Sequence, residues 1–139
     1  MPKLNLFLSS KNADIKPSLE DLRKEIGLVR KEQTKALKLL LCNLLAHPNQ
    51  SIRASRKTSS MITKRANPQG IGSRSIVSSM DALNTHGYII LKMGAYLDNK
   101  QTTISATTKL IDWFQANHWH EDDIDIFDGQ YVKLRLNED

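Results

Sequence analysis

A helical pattern that ends at a glycine and passes directly into a strand lies at residues 73–91, and it constrains the fold more than any other feature. Its apolar residues recur at helical spacing: Ile76, Val77, Met80 and Leu83. Ser73 is the predicted N-cap, and His86 with Gly87 is a typical C-terminal signature. Residues 88–93 are then rich in β-forming side chains. The chain is therefore expected to build a short helix joined to a strand by a tight turn.

Further helices and strands are predicted on both sides of this unit. Apolar spacing and capping residues predict helices at residues 18–29, 32–46, 57–66 and 108–117. A single helix over residues 18–46, bent near Gly27, fits the same pattern. Strands are predicted at residues 52–54, 101–106 and 131–136. Leu4, Leu6 and Leu8 alternate with other residues, which indicates either an edge strand or an arm that docks on a partner.

These elements predict an α+β fold that is mainly helical. With 139 residues the chain is long enough for one core but not for two. We divide it into an N-terminal arm at residues 1–17, a central domain at residues 18–118 and an acidic C-terminal segment at residues 119–139.

The composition indicates the cellular compartment of the protein. A hydrophobic fraction of 40% and a charged fraction of 25% are typical of a soluble globular protein. No apolar run approaches the length of a membrane span, and the first residues are too polar for a secretory signal. Cys42 is the single cysteine and lies in an apolar run, where we expect it to pack as a small buried hydrophobe. A cytoplasmic location is predicted, with no membrane partner.

Basic residues dominate the middle of the chain. No acidic residue lies between Glu32 and Asp81, whereas eight basic residues do: Lys35, Lys38, Arg53, Arg56, Lys57, Lys64, Arg65 and Arg74. The last nineteen residues instead hold seven acidic residues against Lys133 and Arg135. A charge asymmetry of this kind predicts the partner rather than the fold, and a basic region favours nucleic acid.

The order of elements over residues 52–114 resembles the winged helix-turn-helix fold. That family commonly ends its recognition helix with a leucine, two or three residues, a glycine and a hydrophobic strand, as at Leu83, Gly87, Tyr88 and Ile89. The run Lys-Arg-Ala-Asn-Pro-Gln-Gly-Ile-Gly-Ser-Arg-Ser-Ile with the later Thr-Thr-Ile-Ser-Ala-Thr is similar to domains of plasmid and phage proteins, including replication initiators. It resembles MarR-type regulators more loosely.

The resemblance implies a double-stranded DNA-binding protein of a bacterial or mobile-element system, acting in transcription regulation or replication initiation. Residues 18–118 would be the winged-helix domain, with residues 73–86 as recognition helix in the major groove and residues 88–106 as wing. Arg74 has the donors for bidentate pairing with guanine, and Ser75 and Ser78 are small enough for close approach. Phosphate contacts are expected from Arg53, Arg56, Lys57, Lys64 and Arg65, and wing contacts from Lys92 and Lys100.

Two alternatives remain open from the sequence. A winged helix also serves as a protein-interaction module, for instance in a phage-encoded inhibitor of a host protein or nucleoprotein complex. A protein partner would then bind the N-terminal arm or the acidic tail, and the leucine-rich N-terminal helices offer a homodimer contact.

Enzyme chemistry lacks support in the sequence. Residues 118–123 hold metal-capable side chains, but their spacing matches no structural zinc site. The chain has no glycine-rich phosphate loop and no arrangement of nucleophile and base. We therefore predict no catalytic residues, no metal and no cofactor.

Overall fold

The computed structural model describes residues 2–54, 68–93 and 102–127. Within them the chain forms four α-helices and two small sheets, which confirms the α+β class. In chain order the elements are β1 (Leu8–Ser10), a 3-10 turn (Ala13–Ile15), α1 (Lys16–Glu25), α2 (Gln33–Ala46), β2 (Ile52–Arg53), α3 (Ser73–Thr85), β3 (Ile89–Lys92), β4 (Thr103–Ala106), α4 (Thr108–Ala116), a second 3-10 turn (Glu121–Asp123) and β5 (Ile124–Ile126). The predicted helix at residues 57–66 and the predicted strand at residues 131–136 lie outside the described residues.

Helices α1 and α2 are separate, so the alternative of one long bent helix is wrong. Gly27 adopts φ +81°, a left-handed conformation that glycine tolerates and a helix does not. The amide of Leu28 donates to the Arg23 carbonyl at 3.0 Å, which closes the helix end. Val29 is 87% exposed instead of continuing the apolar face of α1, because the chain has already left the helix there.

Helix α2 is the centre of the core, as its apolar spacing predicted. It packs against α1, α3 and β1. Its fully buried side chains include Leu37, Leu40, Leu41, Cys42 and Leu44. Burial raises the pKa of the Cys42 thiol to about 12, so the sole cysteine is a packed hydrophobe, as expected. None of the described helices is long and apolar enough to cross a membrane.

The larger sheet is antiparallel with the strand order β2–β4–β3. Its inner face contributes Ile52, Ile89 and Ile104 to the core. The predicted strands at residues 52–54, 88–93 and 101–106 are all present in shorter form. Because successive side chains of a strand point to opposite faces, the residues next to these three project to the other face of the sheet, the outer face.

The second sheet joins the two ends of the described chain. Strand β1 pairs antiparallel with β5, with Ser9 opposite Asp125. Residues 124–126 form a strand because they pair with β1, whereas the sequence predicted no strand between residues 107 and 130. The N-terminal segment is therefore not a free arm, since its strand packs on α2 and pairs with β5.

Three aromatic side chains close the C-terminal side of the core. Trp113, Phe114 and Trp119 have ring centroids 5.3–5.8 Å apart, at tilted or edge-on angles that aromatic pairs prefer. The Trp119 indole donates to the Ser18 hydroxyl at 3.1 Å and so ties the cluster to α1. Phe114 and Trp119 are buried, so this cluster is part of the core.

Candidate nucleic-acid interface

Helix α3 begins at Ser73, one residue earlier than a cap at Ser73 would require. Gly72 is the N-cap in extended conformation, and Ser73 is already helical, so the prediction that Ser73 caps the helix is wrong. The Ile76 amide donates to the Gly72 carbonyl, which closes the first turn. The amides of the first turn have no acceptor within the helix, and no acidic side chain lies in that turn. This end of α3 therefore carries uncompensated positive potential beside Arg74.

The other end of α3 is fixed tightly to β3. Gly87 has φ +77°, its amide donates to the Asn84 carbonyl, and the Tyr88 amide donates to the Leu83 carbonyl at 2.9 Å. These two bonds are the Schellman arrangement. The Asn84 side chain also accepts a bond from the Leu91 amide at 3.1 Å. Helix α3 and strand β3 thus form one connected unit with a defined angle.

The outward face of α3 follows from its buried face. Successive helical residues turn by about 100°, and the side chains buried against the core are Ile76, Ser79, Met80 and Leu83. The opposite side of the helix carries Arg74, Ser78, Asp81 and Thr85. Arg74 is exposed, and Ser78 is half-buried. Ser75 lies half-buried on the flank of this face, where its carbonyl accepts the Ser79 hydroxyl at 2.7 Å.

The outer face of the larger sheet brings two predicted residues into one row. Lys92 lies opposite Thr103, and Thr103 lies opposite Arg53, so Arg53 and Lys92 flank a central threonine across three strands. Residues that are opposite in neighbouring strands project to the same face. Lys92 is exposed, and Arg53 is half-buried. Neither of the two ion pairs among the described residues involves these cations.

Five of the ten predicted DNA-binding residues fall within the described chain. Arg74, Ser75 and Ser78 are in α3, and Arg53 and Lys92 share the row on the sheet. The other five lie outside the described residues: Arg56, Lys57, Lys64, Arg65 and Lys100.

The structure adds two polar residues that the sequence analysis did not select. Thr85 lies eleven positions after Arg74, and this spacing returns it to the same side of the helix. A helical wheel of α3 would have found it. Thr103 had no such signal, because its place between Arg53 and Lys92 depends on the register of three strands.

The base of the α3–β3 unit is held by a polar contact to α1. The Tyr88 hydroxyl donates to the Glu25 carboxylate, and the Lys109 ammonium lies 4.3 Å from the centre of the Tyr88 ring. The same ammonium donates to the His86 carbonyl at 2.7 Å. Burial, followed by the bond to Glu25, raises the pKa of Tyr88 to about 12. Tyr88 is therefore a structural residue that connects α1, α4 and the turn after α3.

The metal-capable residues at positions 118–123 follow α4 and include the 3-10 turn Glu121–Asp123. His118 occupies the left-handed position after α4 with φ 59°, and Trp119 is buried. In the part of the chain that the structure describes, no three His, Cys, Asp or Glu side chains are grouped to hold a metal ion.

Comparison with known proteins assigns no family. No family model matches the chain, and neither a curated protein nor a solved structure shows significant similarity to it.

Proposed function

We propose that this chain is a double-stranded DNA-binding protein of the winged helix-turn-helix type. In this proposal α3 is the recognition helix, and β3 and β4 are the stem of the wing. The observation that carries the proposal is the outward face of α3, where Arg74 lies at the positive end of the helix and shares the face with small hydroxyl side chains and Asp81. A helix of this width fits the major groove, and its N-terminal residues reach the base edges.

The topology supports the winged-helix assignment. A helix that ends at Gly87 leads into β3, and β3 pairs with β4, which lies between β3 and the earlier strand β2. This order follows the pattern on which the resemblance to winged helices was based. The hydrogen bond between Asn84 and Leu91 would hold helix and wing at a constant angle during binding.

The chemistry of the two surfaces divides the work of binding. Arg74 has the planar fork that pairs bidentately with guanine, whereas Ser78 and Thr85 accept or donate and discriminate less. Arg53 and Lys92 would neutralise phosphates and fix the register without reading sequence. The net charge of +5 favours association with a polyanion.

The proposed setting is the cytoplasm of a bacterium, in a chromosomal, plasmid or phage system. The role is transcription regulation or replication initiation, since both require a domain that binds a defined duplex site. This part of the proposal is supported by the sequence resemblance alone.

Selection from a random-sequence duplex pool at near-physiological salt tests the proposal. We expect an enriched motif, and we expect Arg74→Ala to weaken binding by about 1–3 kcal/mol and to relax preference at one base pair. Arg30→Ala is the matched control, because Arg30 is an exposed arginine outside α3 and the larger sheet. If the protein retains the pool without enriching any sequence motif, it binds DNA nonspecifically through the phosphates. No retention would overturn the proposal.

A protein-interaction module is the second candidate. Ile90 is 49% exposed and Met93 is 61% exposed at the outer face and end of β3, which is an unusual place for two large apolar side chains. If the duplex pool is not retained, this apolar pair is the surface to test. Ile90→Ser should then abolish capture of the protein partner and leave the fold intact, because the side chain is on the outer face.

A further inference from the structure

We propose that residues 2–4 belong to the DNA-binding surface, where Lys3 joins Arg53 and Lys92 in a continuous row of phosphate contacts. The inference deepens the proposed function and rests on it. It assigns a binding role to a segment whose sequence suggested an arm for a protein partner.

Residues 2–4 run beside β2 and are joined to it by an isolated parallel bridge. The Arg53 amide donates to the Pro2 carbonyl at 2.9 Å, and the Leu4 amide donates to the Arg53 carbonyl at 2.8 Å. This pair of bonds makes Lys3 the parallel bridge partner of Arg53. The side chains of bridge partners project to the same face of a sheet.

The register therefore orders four side chains across the outer face. They are, from one edge to the other, Lys3, Arg53, Thr103 and Lys92. Neighbouring strands are about 4.8 Å apart, so the backbones of the two outer lysines are separated by roughly 14 Å. Three cations in a line of this length suit a linear polyanion better than a single free anion. A strand of duplex DNA, with a phosphate every ~3.4 Å along the helix axis, matches that description.

The row lacks compensating charge. No described residue on this face is acidic, and Lys3 and Lys92 are exposed. The Nε atom of Arg53 is buried and has no hydrogen-bond partner among the described residues. An unpaired cationic donor is costly in a folded protein. The approach of a polyanion to the row would offset this cost by attraction to the guanidinium, whose remaining donors match phosphate geometry.

Lys3 is held in position by contacts made further along the N-terminal segment. The fully buried Asn43 side chain accepts from the Asn5 amide at 2.7 Å and donates to the Asn5 carbonyl at 3.0 Å. The Gln69 amide group donates to the carbonyls of Leu6 and Leu8, each at 2.9 Å. The backbone that carries Lys3 is thus already ordered before DNA binds, which lowers the entropic cost of the contact.

The salt dependence of duplex binding by Lys3→Gln tests the inference. The slope of log K against log salt is negative, and we expect it to become shallower by about 0.9 in Lys3→Gln. This change corresponds to about eightfold weaker binding near 0.1 M salt. Lys3→Arg keeps the charge and should keep the wild-type slope. Lys16→Gln is the matched control, because Lys16 is an exposed lysine in α1 and away from the row. Thermal melting should be unchanged in all three variants, since both lysines are exposed.

If wild type binds duplex DNA and Lys3→Gln keeps its slope, the inference is overturned and the proposed function stands. Equal slope changes in Lys3→Gln and Lys16→Gln would also overturn it, because the effect would then reflect net charge alone. If wild type binds no duplex DNA, the inference fails together with the proposed function.

Discussion

Single polar side chains fasten the elements around α3, and Tyr88 shows how. Its ring is buried, its hydroxyl donates to Glu25 in α1, and the Lys109 ammonium lies over its face. A cation over an aromatic ring and a hydroxyl bonded to a carboxylate are both favourable while the phenol is neutral. Ionisation would place a phenolate against the Glu25 carboxylate in a desolvated site, which is why the pKa is raised to about 12.

The raised pKa of Tyr88 predicts a loss of stability at high pH. The folded value of about 12 lies above the ordinary value of 10.0, so the stabilisation is fully present below pH 10 and is lost as the pH rises from 10 towards 12. The free energy of unfolding, measured with urea, should change less between pH 8 and pH 11 in Tyr88→Phe than in wild type. The phenolate absorbance is titrated in both proteins. The difference between the wild-type and Tyr88→Phe curves then reports the ionisation of Tyr88 alone. A midpoint near 10 in the difference curve would contradict the structure.

Helix ends form a repeated element of this fold. Helices α1, α3 and α4 all end in the Schellman arrangement, with Gly27, Gly87 and His118 at the left-handed position. The glycines suit that conformation, whereas His118 adopts it against the preference of a side chain with a Cβ. The turn at Gly87 has the additional task of setting the direction of β3 relative to α3.

Gly87→Ala should affect both stability and DNA binding. Nothing lies within 4 Å of a Cβ built at Gly87, so the expected cost of about 1–2 kcal/mol comes from the positive φ and not from a clash. Relaxation of the turn would shift β3 relative to α3 and weaken the binding of duplex DNA. Gly27→Ala is the matched control, because Gly27 has φ +81° and equally open space but ends α1. We expect the two variants to lose similar stability in urea and only Gly87→Ala to lose more DNA affinity than its unfolded fraction explains. Equal DNA affinities of Gly87→Ala and Gly27→Ala would show that the turn at Gly87 does not contribute to DNA binding.

The whole molecule is closed by contacts between distant parts of the chain. Strand β1 pairs with β5, Asn43 in α2 holds the backbone of Asn5, and the Trp119 indole reaches Ser18. The N-terminal segment is consequently part of the same packed unit as the larger sheet. This arrangement lets a substitution inside the core change the position of a side chain on the surface.

Asn43→Ala should act on DNA binding through Lys3. Removing the amide leaves the Asn5 backbone unpaired beside α2, at a cost of about 1–3 kcal/mol in unfolding free energy. The released segment would no longer hold Lys3 beside Arg53, so DNA affinity should fall to the level of Lys3→Gln. The double variant should then bind no more weakly than either single variant, which a double-mutant cycle detects.

Gln69→Ala provides a second route to the same result, because Gln69 holds the carbonyls of Leu6 and Leu8 from another side. Asn117→Ala is the control, since the Asn117 side chain donates to the Trp113 carbonyl four residues earlier in the chain. Strictly additive losses in Asn43→Ala and Lys3→Gln would show that Asn43 does not position Lys3.

Local sequence patterns were sufficient to predict the elements of this fold that depend on neighbouring residues. The helix at residues 32–46, the turn at Gly87 and the last helix follow from apolar spacing and capping chemistry, and all three are confirmed. These signals are local, because a cap or a left-handed glycine acts within one turn of the chain.

Contacts between residues far apart in the chain were not predictable from such patterns. The pairing of β1 with β5, the bond between Asn43 and Asn5, and the row that joins Lys3, Arg53 and Lys92 involve residues far apart in sequence. Strand register and the partners of buried polar groups are set by packing of the whole core, and no local pattern encodes them. The sequence therefore identified Arg53 and Lys92 separately as basic residues, and the sheet register brought them together.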